Sequence, residues 1–116
     1  MQVDNESETN CNETCPVRKT ADILEHKWAT LIIRDLLGGR KRYSELAHSL
    51  TGISAKVLSE RLQQLEASGL ITRTVYPTVP PSTDYQLTAL GQKLEGVILA
   101  MQAFGSLLPD AQTDSN

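Results

Sequence analysis

No apolar run in this 116-residue chain approaches the roughly 18 to 20 residues that a bilayer-spanning helix needs. The opening MQVDNESETN has neither the positive start nor the apolar core of a secretory signal. A cytoplasmic protein is the expectation. Cysteine is scarce too: Cys11 and Cys15 lie so close that a bridge between them would close only a tiny loop, which excludes a disulfide framework. Their spacing is not Cys-x-x-Cys and no βαβ pattern surrounds them, which disfavours a small thiol oxidoreductase. With His26 and His48 they lack a second paired ligand set, so no metal site is expected. There is no Ser-His-Asp order, no glycine-rich phosphate loop and no carboxylate pair in an apolar stretch. Catalysis has no anchor, and neither catalytic residues nor a cofactor are expected.

An overall basic charge is also missing. The formal net charge is -3 and the pI about 5.3, which by itself argues against a nucleic-acid partner. The distribution says otherwise. Asp4, Glu6, Glu8 and Glu13 at the start, with Asp110 and Asp114 at the end, give the tails -6. Between them, Arg40, Lys41, Arg42, Lys56, Arg61 and Arg73 stand against Glu45, Glu60 and Glu66, a net of +3. A basic middle between acidic ends leaves duplex DNA open as a partner.

The length fits one domain. Residues 1–13 read as an acidic flexible tail, 14–108 as the domain and 109–116 as a second tail. Pro16 suits a first helical position, and Val17, Ala21 and Leu24 follow at the spacing of a buried helical stripe. A second, central helix carries Trp28, Leu31, Ile32 and Leu36 inward and stops at Gly38-Gly39. Ser44 is expected to cap a short helix with Leu46, Ala47 and Leu50 inside, ended by Thr51-Gly52. Ser54 caps the next, where Leu58, Leu62 and Leu65 share a narrow arc while Lys56, Ser59, Glu60 and Gln63 point away. Gly69 closes it. Two helices joined by a short glycine-bearing turn have the proportions of a helix-turn-helix. The β-branched run from Leu70 to Tyr76, the prolines Pro77, Pro80 and Pro81, and then Thr83 to Leu87 read as a hairpin, here a wing. Thr88 is expected to cap one last helix, ended by Pro109, with a broad stripe of Leu90, Leu94, Val97, Ile98, Met101, Phe104 and Leu108. The fold class is therefore mainly α with a small β-hairpin.

The segments CPVRKTADIL, HKWATLIIRDLL, GRKRYSELAHSLTGISAKVLSERLQQLEASGLITRTVYPTVPP and DYQLTALGQKL resemble an HxlR-type winged helix-turn-helix transcriptional regulator, a branch related to MarR proteins. The resemblance runs from about Cys15 to Phe104. It implies a homodimeric bacterial DNA-binding regulator, in many relatives responsive to oxidants or electrophiles through the cysteine of the Cys-Pro start. Two departures stand out. The wing tip is Pro81-Ser82-Thr83, where such proteins often place arginine or lysine, and Glu25-His26 replaces small residues. The chain also has no second cysteine in the body of the domain, so Cys15 has only Cys11, or Cys15 of another subunit, to pair with.

On this reading the leucine side of the Ser54-capped helix docks on the domain and its other side enters a major groove. Lys56 suits guanine O6 and N7 or a phosphate, Gln63 suits adenine N6 and N7, and Ser59 suits either kind of edge. Glu60 either accepts from cytosine N4 or repels the backbone. Arg40, Lys41, Arg42 and Ser44 lie where backbone phosphates pass, while Ser54, Arg61 and Arg73 flank the reading helix and position it. Leu94, Val97, Ile98, Met101 and Phe104 suit a dimer interface through the terminal helices. Two readers about a two-fold axis match a pseudo-palindromic operator with half-sites about one or two helical turns apart. Cys15 stands at a helix N-terminus, where the dipole, Arg18 and Lys19 favour the thiolate and Glu13 opposes it. Oxidant or small-molecule sensing there, with Cys11 as a partner, stays open beside a passive role. The rival is a winged-helix protein-interaction module without DNA binding.

Overall fold

The computed structural model describes residues 14–110. Pro16–Leu24 forms α1, Lys27–Leu36 α2, Lys41–Arg42 β1, Tyr43–Ser49 α3, Ala55–Ala67 α4, Ile71–Tyr76 β2, Ser82–Leu87 β3, Ala89–Gln92 α5 and Glu95–Gly105 α6. The sheet has three antiparallel strands in the order β1-β3-β2.

The central helix is α2, which buries Ala29, Thr30, Ile32, Ile33 and Leu36. The inward stripe is rotated from the expected one: positions 29, 32, 33 and 36 follow the i, i+3, i+4, i+7 pattern, and Trp28 and Leu31 sit half-buried at its margin. Thr30 Oγ1 donates to the Leu24 carbonyl at 3.3 Å, which satisfies a buried hydroxyl and ties the end of α1 to α2. The stripe expected on α1 is not buried. Val17 is 74% exposed, Ala21 is also exposed, and only Ile23 and Leu24 reach the core. This edge helix packs mainly on α2, and among the described residues the side carrying Val17 and Ala21 meets no buried surface.

The helix-turn-helix forms from α3 and α4. Arg42 rather than Ser44 occupies the cap position of α3, and its amide donates to Glu45 Oε1 at 2.8 Å. That carboxylate satisfies a backbone group at the helix start, which leaves Ser44 inside the first turn. Leu46 and Leu50 are buried, and Ala47 faces out. Gly52, with φ 96°, makes the turn. Ser54 caps α4 as expected, its Oγ accepting from the Val57 amide at 3.1 Å. At the other end Gly69 adopts φ 78°. The Leu70 amide donates to the Leu65 carbonyl at 3.1 Å and the Gly69 amide to the Glu66 carbonyl at 3.0 Å, the paired bonds of a Schellman stop.

Period-two alternation sorts the sheet into two faces. Ile71, Tyr85 and Leu87 are buried toward the helices. Strand β1, which is too short for any periodicity to reveal, pairs Lys41 with Tyr85 and Arg42 with Asp84. The expected single last helix is two. Thr88 Oγ1 accepts from the Gly91 amide at 3.0 Å and donates to the Gly69 carbonyl at 2.7 Å. A side chain on Gly91 would collide with the Leu70 carbonyl oxygen, so α5 lies hard against the start of β2. Three-residue bonds from Lys93 to Leu90 and from Leu94 to Gly91 then tighten the chain and re-aim it into α6. Helix α6 ends at Gly105, with Ser106 as its cap, before Pro109 is reached.

Candidate nucleic-acid interface

Helix α4 presents its two sides to different surroundings. Leu58, Leu62 and Leu65 are buried against the core, and Lys56, Ser59, Glu60 and Gln63 are exposed. At about 100° per residue, Lys56, Ser59 and Gln63 fall within roughly 60° of one another. Arg61 does not join them. It lies about 140° round the helix from Lys56, half-buried, with its Nε enclosed and without a hydrogen-bond partner among the described residues and its Nη1 donating to Gln64 Oε1. Ser54 is exposed, and its oxygen already accepts the cap bond.

Arg73 stands on the helix side of β2, opposite Tyr85 in register. Its Nε lies 3.7 Å from Glu66 Oε1. With Ser59, Leu62, Gln63 and Tyr85 this pair lines a cleft of about 210 Å³ along the side of α4. Burial raises the Tyr85 hydroxyl above its ordinary value of 10.0, with Arg73 opposing and Glu66 and Tyr43 adding to the rise. A second cleft, of about 330 Å³, opens between the start of α3 and the wing, lined by Arg42, Tyr43, Ser44, Pro81, Ser82 and Thr83. The Tyr43 hydroxyl lies 3.4 Å from the Ala55 carbonyl and 3.3 Å from Ser59 Oγ, bridging the two helices.

The basic triplet divides. Arg42 is exposed beside Ser44, while Lys41 is half-buried. Arg40 has turned to the sheet: its Nη1 donates to the Tyr76 hydroxyl at 3.0 Å, and its Nε lies 3.9 Å from Asp84 Oδ2. Tyr43, Tyr76, Glu66 and Asp84 were not singled out by sequence reasoning. Alternation in the wing put Tyr85 and Leu87 on one face and was the available signal for Tyr76 and Asp84 on the other. Nothing local marks Tyr43.

The terminal apolar residues also divide. Ile98 is buried in the core of its own chain and Leu94 packs partly against that core. Val97, Met101 and Phe104 are 37%, 46% and 63% exposed, and Leu99, Leu107 and Leu108 extend this surface. A cleft of about 400 Å³ between α2 and α6 is lined by Thr30, Leu31, Arg34, Ile98, Met101 and Gln102. Cys15 takes the N-cap position of α1, half-buried, its carbonyl accepting from the Lys19 amide at 2.9 Å. Cys11 lies outside the described residues. Among the described residues no helix is long and apolar enough to cross a membrane.

A family model described as HxlR-like helix-turn-helix matches residues 23–113. The HTH-type transcriptional regulator sll1512 of Synechocystis is 43% identical over 99 residues, spanning 83% of this chain and 73% of the relative. The crystal structure of a MarR-family transcriptional regulator from Porphyromonas gingivalis superposes with a TM-score of 0.79 at 42% identity, over 82% of this chain and 93% of that one. The redox regulator HypR in its oxidised form superposes with a TM-score of 0.77 at 35% identity, over 84% of this chain and all of that one.

Proposed function

Because this chain belongs to the HxlR-like helix-turn-helix family of transcriptional regulators, we propose that it binds a pseudo-palindromic operator as a homodimer, reading each half-site with α4. The observation that carries this is the clean division of α4: buried leucines fix the helix, and an exposed polar side of modest size stands free for a groove. Lys56, Ser59 and Gln63 read base edges. Arg73 approaches phosphates from the cleft beside α4, Arg42 and Ser44 from the cleft between α3 and the wing, and Lys41 adds charge behind them. Ser54 and Arg61 hold the helix itself. The exposed apolar surface of α6, with Val97, Met101 and Phe104, joins two copies so that the reading helices act together. The acidic ends are spaced from this face along the chain, which reconciles a pI of about 5.3 with DNA binding.

Selection of bound sequences from random DNA, followed by gel-shift titration at two salt concentrations, tests the proposal. A sequence preference is expected, with log affinity falling by about 0.9 per neutralised phosphate for each unit of log salt. Neither preference nor slope would instead leave a protein-interaction module.

A second reading concerns an oxidant effector. Cys15 sits at the start of the exposed edge helix α1, and HypR, similar in fold and sequence, is a redox regulator. Two thiols, Cys15 of each subunit or Cys15 with Cys11, would pass two electrons to an oxidant such as diamide and form a disulfide. With α1 of one subunit packed beside the dimer interface, such a bridge would change the spacing of the reading helices. If a Cys15→Ser variant releases DNA in diamide as readily as the parent, this reading fails.

A further inference from the structure

Arg40 is the first residue of the basic run and the natural candidate for a phosphate contact, yet its guanidinium is directed elsewhere. In the strand order β1-β3-β2 it enters from the β1 edge. Tyr76 belongs to β2, two strands away, so its hydroxyl lies across roughly 10 Å of sheet. Asp84 sits between them on the central strand. Alternation puts all three on the face away from the helices: Asp84 is opposite Thr74 and Arg42 in register, Tyr76 is two residues beyond Thr74, and Arg40 is two residues before Arg42. The guanidinium thus passes over the central strand, with Nε 3.9 Å from Asp84 Oδ2 and Nη1 at 3.0 Å from the Tyr76 hydroxyl.

Two further observations make this bridge consequential. Tyr76 pairs with Ser82 in the last step of the hairpin ladder before its tip. β1 reaches only Tyr85 and Asp84, so it holds the base of the hairpin and not its neck. Asp84 Oδ1 is enclosed and has no hydrogen-bond partner among the described residues. A carboxylate so placed needs a nearby cation to offset its lost hydration, and Arg40 is the cation the structure brings to it.

We propose that Arg40 is a positioning residue for DNA binding: with Asp84 and Tyr76 it clasps the neck of the wing to the helix-turn-helix and sets where the wing meets the duplex. The clasp rests on the reading that α4 and the wing bind DNA. It goes beyond that reading in giving Arg40, expected from the sequence among the phosphate contacts, a place on the sheet instead, and in giving the uncharged Tyr76 hydroxyl the same importance as the arginine.

The full-length protein and a duplex selected by the parent protein serve for the test, with Arg40→Gln, Tyr76→Phe and the double variant. Each single change is expected to weaken operator binding by about 3- to 10-fold, the net worth of one ordinary hydrogen bond. The double variant is expected to lose no more than the weaker single one. The salt slope should match the parent in all three. Hydroxyl-radical footprints should lose protection at the backbone flanking each half-site, where the wing lies, and keep it over the half-site itself. A merely structural role would weaken both zones together. If Arg40→Gln lowers the slope by about 0.9 per subunit while Tyr76→Phe binds like the parent, Arg40 is a phosphate contact and the clasp is overturned. Parental affinity in both variants, or uniform loss of the footprint, also overturns it. Hydrogen exchange of the free protein separates the two proposals. Faster exchange at the wing neck in both variants supports the clasp even if the parent shows no operator preference, a result that would sink only the DNA-binding reading; parental exchange rates overturn the clasp.

Discussion

Helices α4 and α6 carry apolar stripes of similar spacing and meet opposite fates. Leu58, Leu62 and Leu65 are at most 2% exposed, whereas Val97, Met101 and Phe104 are 37% to 63% exposed. The α4 stripe falls opposite α2, so one chain completes it. Of the α6 stripe only Ile98 and, in part, Leu94 turn inward, because the tight turn after α5 directs the rest of the helix away from the core. Periodicity therefore tells which residues share a face and leaves open which molecule covers it.

The largest effect expected from breaking this contrast is on α4. Leu62→Ala leaves a cavity in the core and should destabilise the fold by about 2–5 kcal/mol. Urea unfolding would show it, with a loss that does not depend on protein concentration. Phe104→Ser removes apolar surface that the protomer does not use. It should weaken dimerisation by about 10-fold or more, measured by light scattering on dilution, and lower the unfolding midpoint only through mass action. A Phe104→Ser variant that is as dimeric as the parent would place the interface elsewhere.

The same limit governs what could be read from the chain before its structure. Helix-turn-helix, wing and the polar side of α4 were legible because each rests on local patterning: leucine spacing, a glycine turn, and β-branched runs flanked by prolines. The exposure of Val17 and Ala21 was not, because an apolar spacing at the edge of a domain looks like one at its centre. The break between α5 and α6 escaped because it arises from the close approach of Gly91 to the Leu70 carbonyl, a tertiary contact. At the candidate site, the shared exposed side of Lys56, Ser59 and Gln63 follows from helical phase alone. A count of charges passes over the phase that turns Arg61 away from them, and it passes over the contacts of Arg40, which lie 36 and 44 positions further along the chain.

The serines sharpen the comparison on a smaller scale, since both were expected to cap helices. Ser54→Ala removes a bond to the Val57 amide and should cost about 1 kcal/mol of stability. Ser44→Ala removes no cap and should leave the unfolding free energy within about 0.5 kcal/mol of the parent's. Equal losses from the two would mean that Ser44, and not the Glu45 carboxylate, secures the start of α3.

The smallest effect concerns Tyr85, which lies between the buried core and the cleft beside α4. Burial holds its hydroxyl above the ordinary 10.0, mainly by penalising the phenolate, with Arg73 pulling the other way. The raised value belongs to the folded state, so above pH 10 the unfolded chain gives up this proton more readily than the native one. The stabilisation is complete below the unfolded value and drains away as pH climbs through the folded one. Thermal melts of the parent should therefore fall more steeply above pH 10 than those of Tyr85→Phe, once each is referred to its own midpoint at neutral pH. Because the Arg73 charge opposes the rise, Arg73→Gln should make the alkaline loss steeper. Parallel curves for the parent and Tyr85→Phe would show that the cleft beside α4 is wet enough to solvate a phenolate, and that the helix side of β2 is less closed than the α4 leucines beneath it.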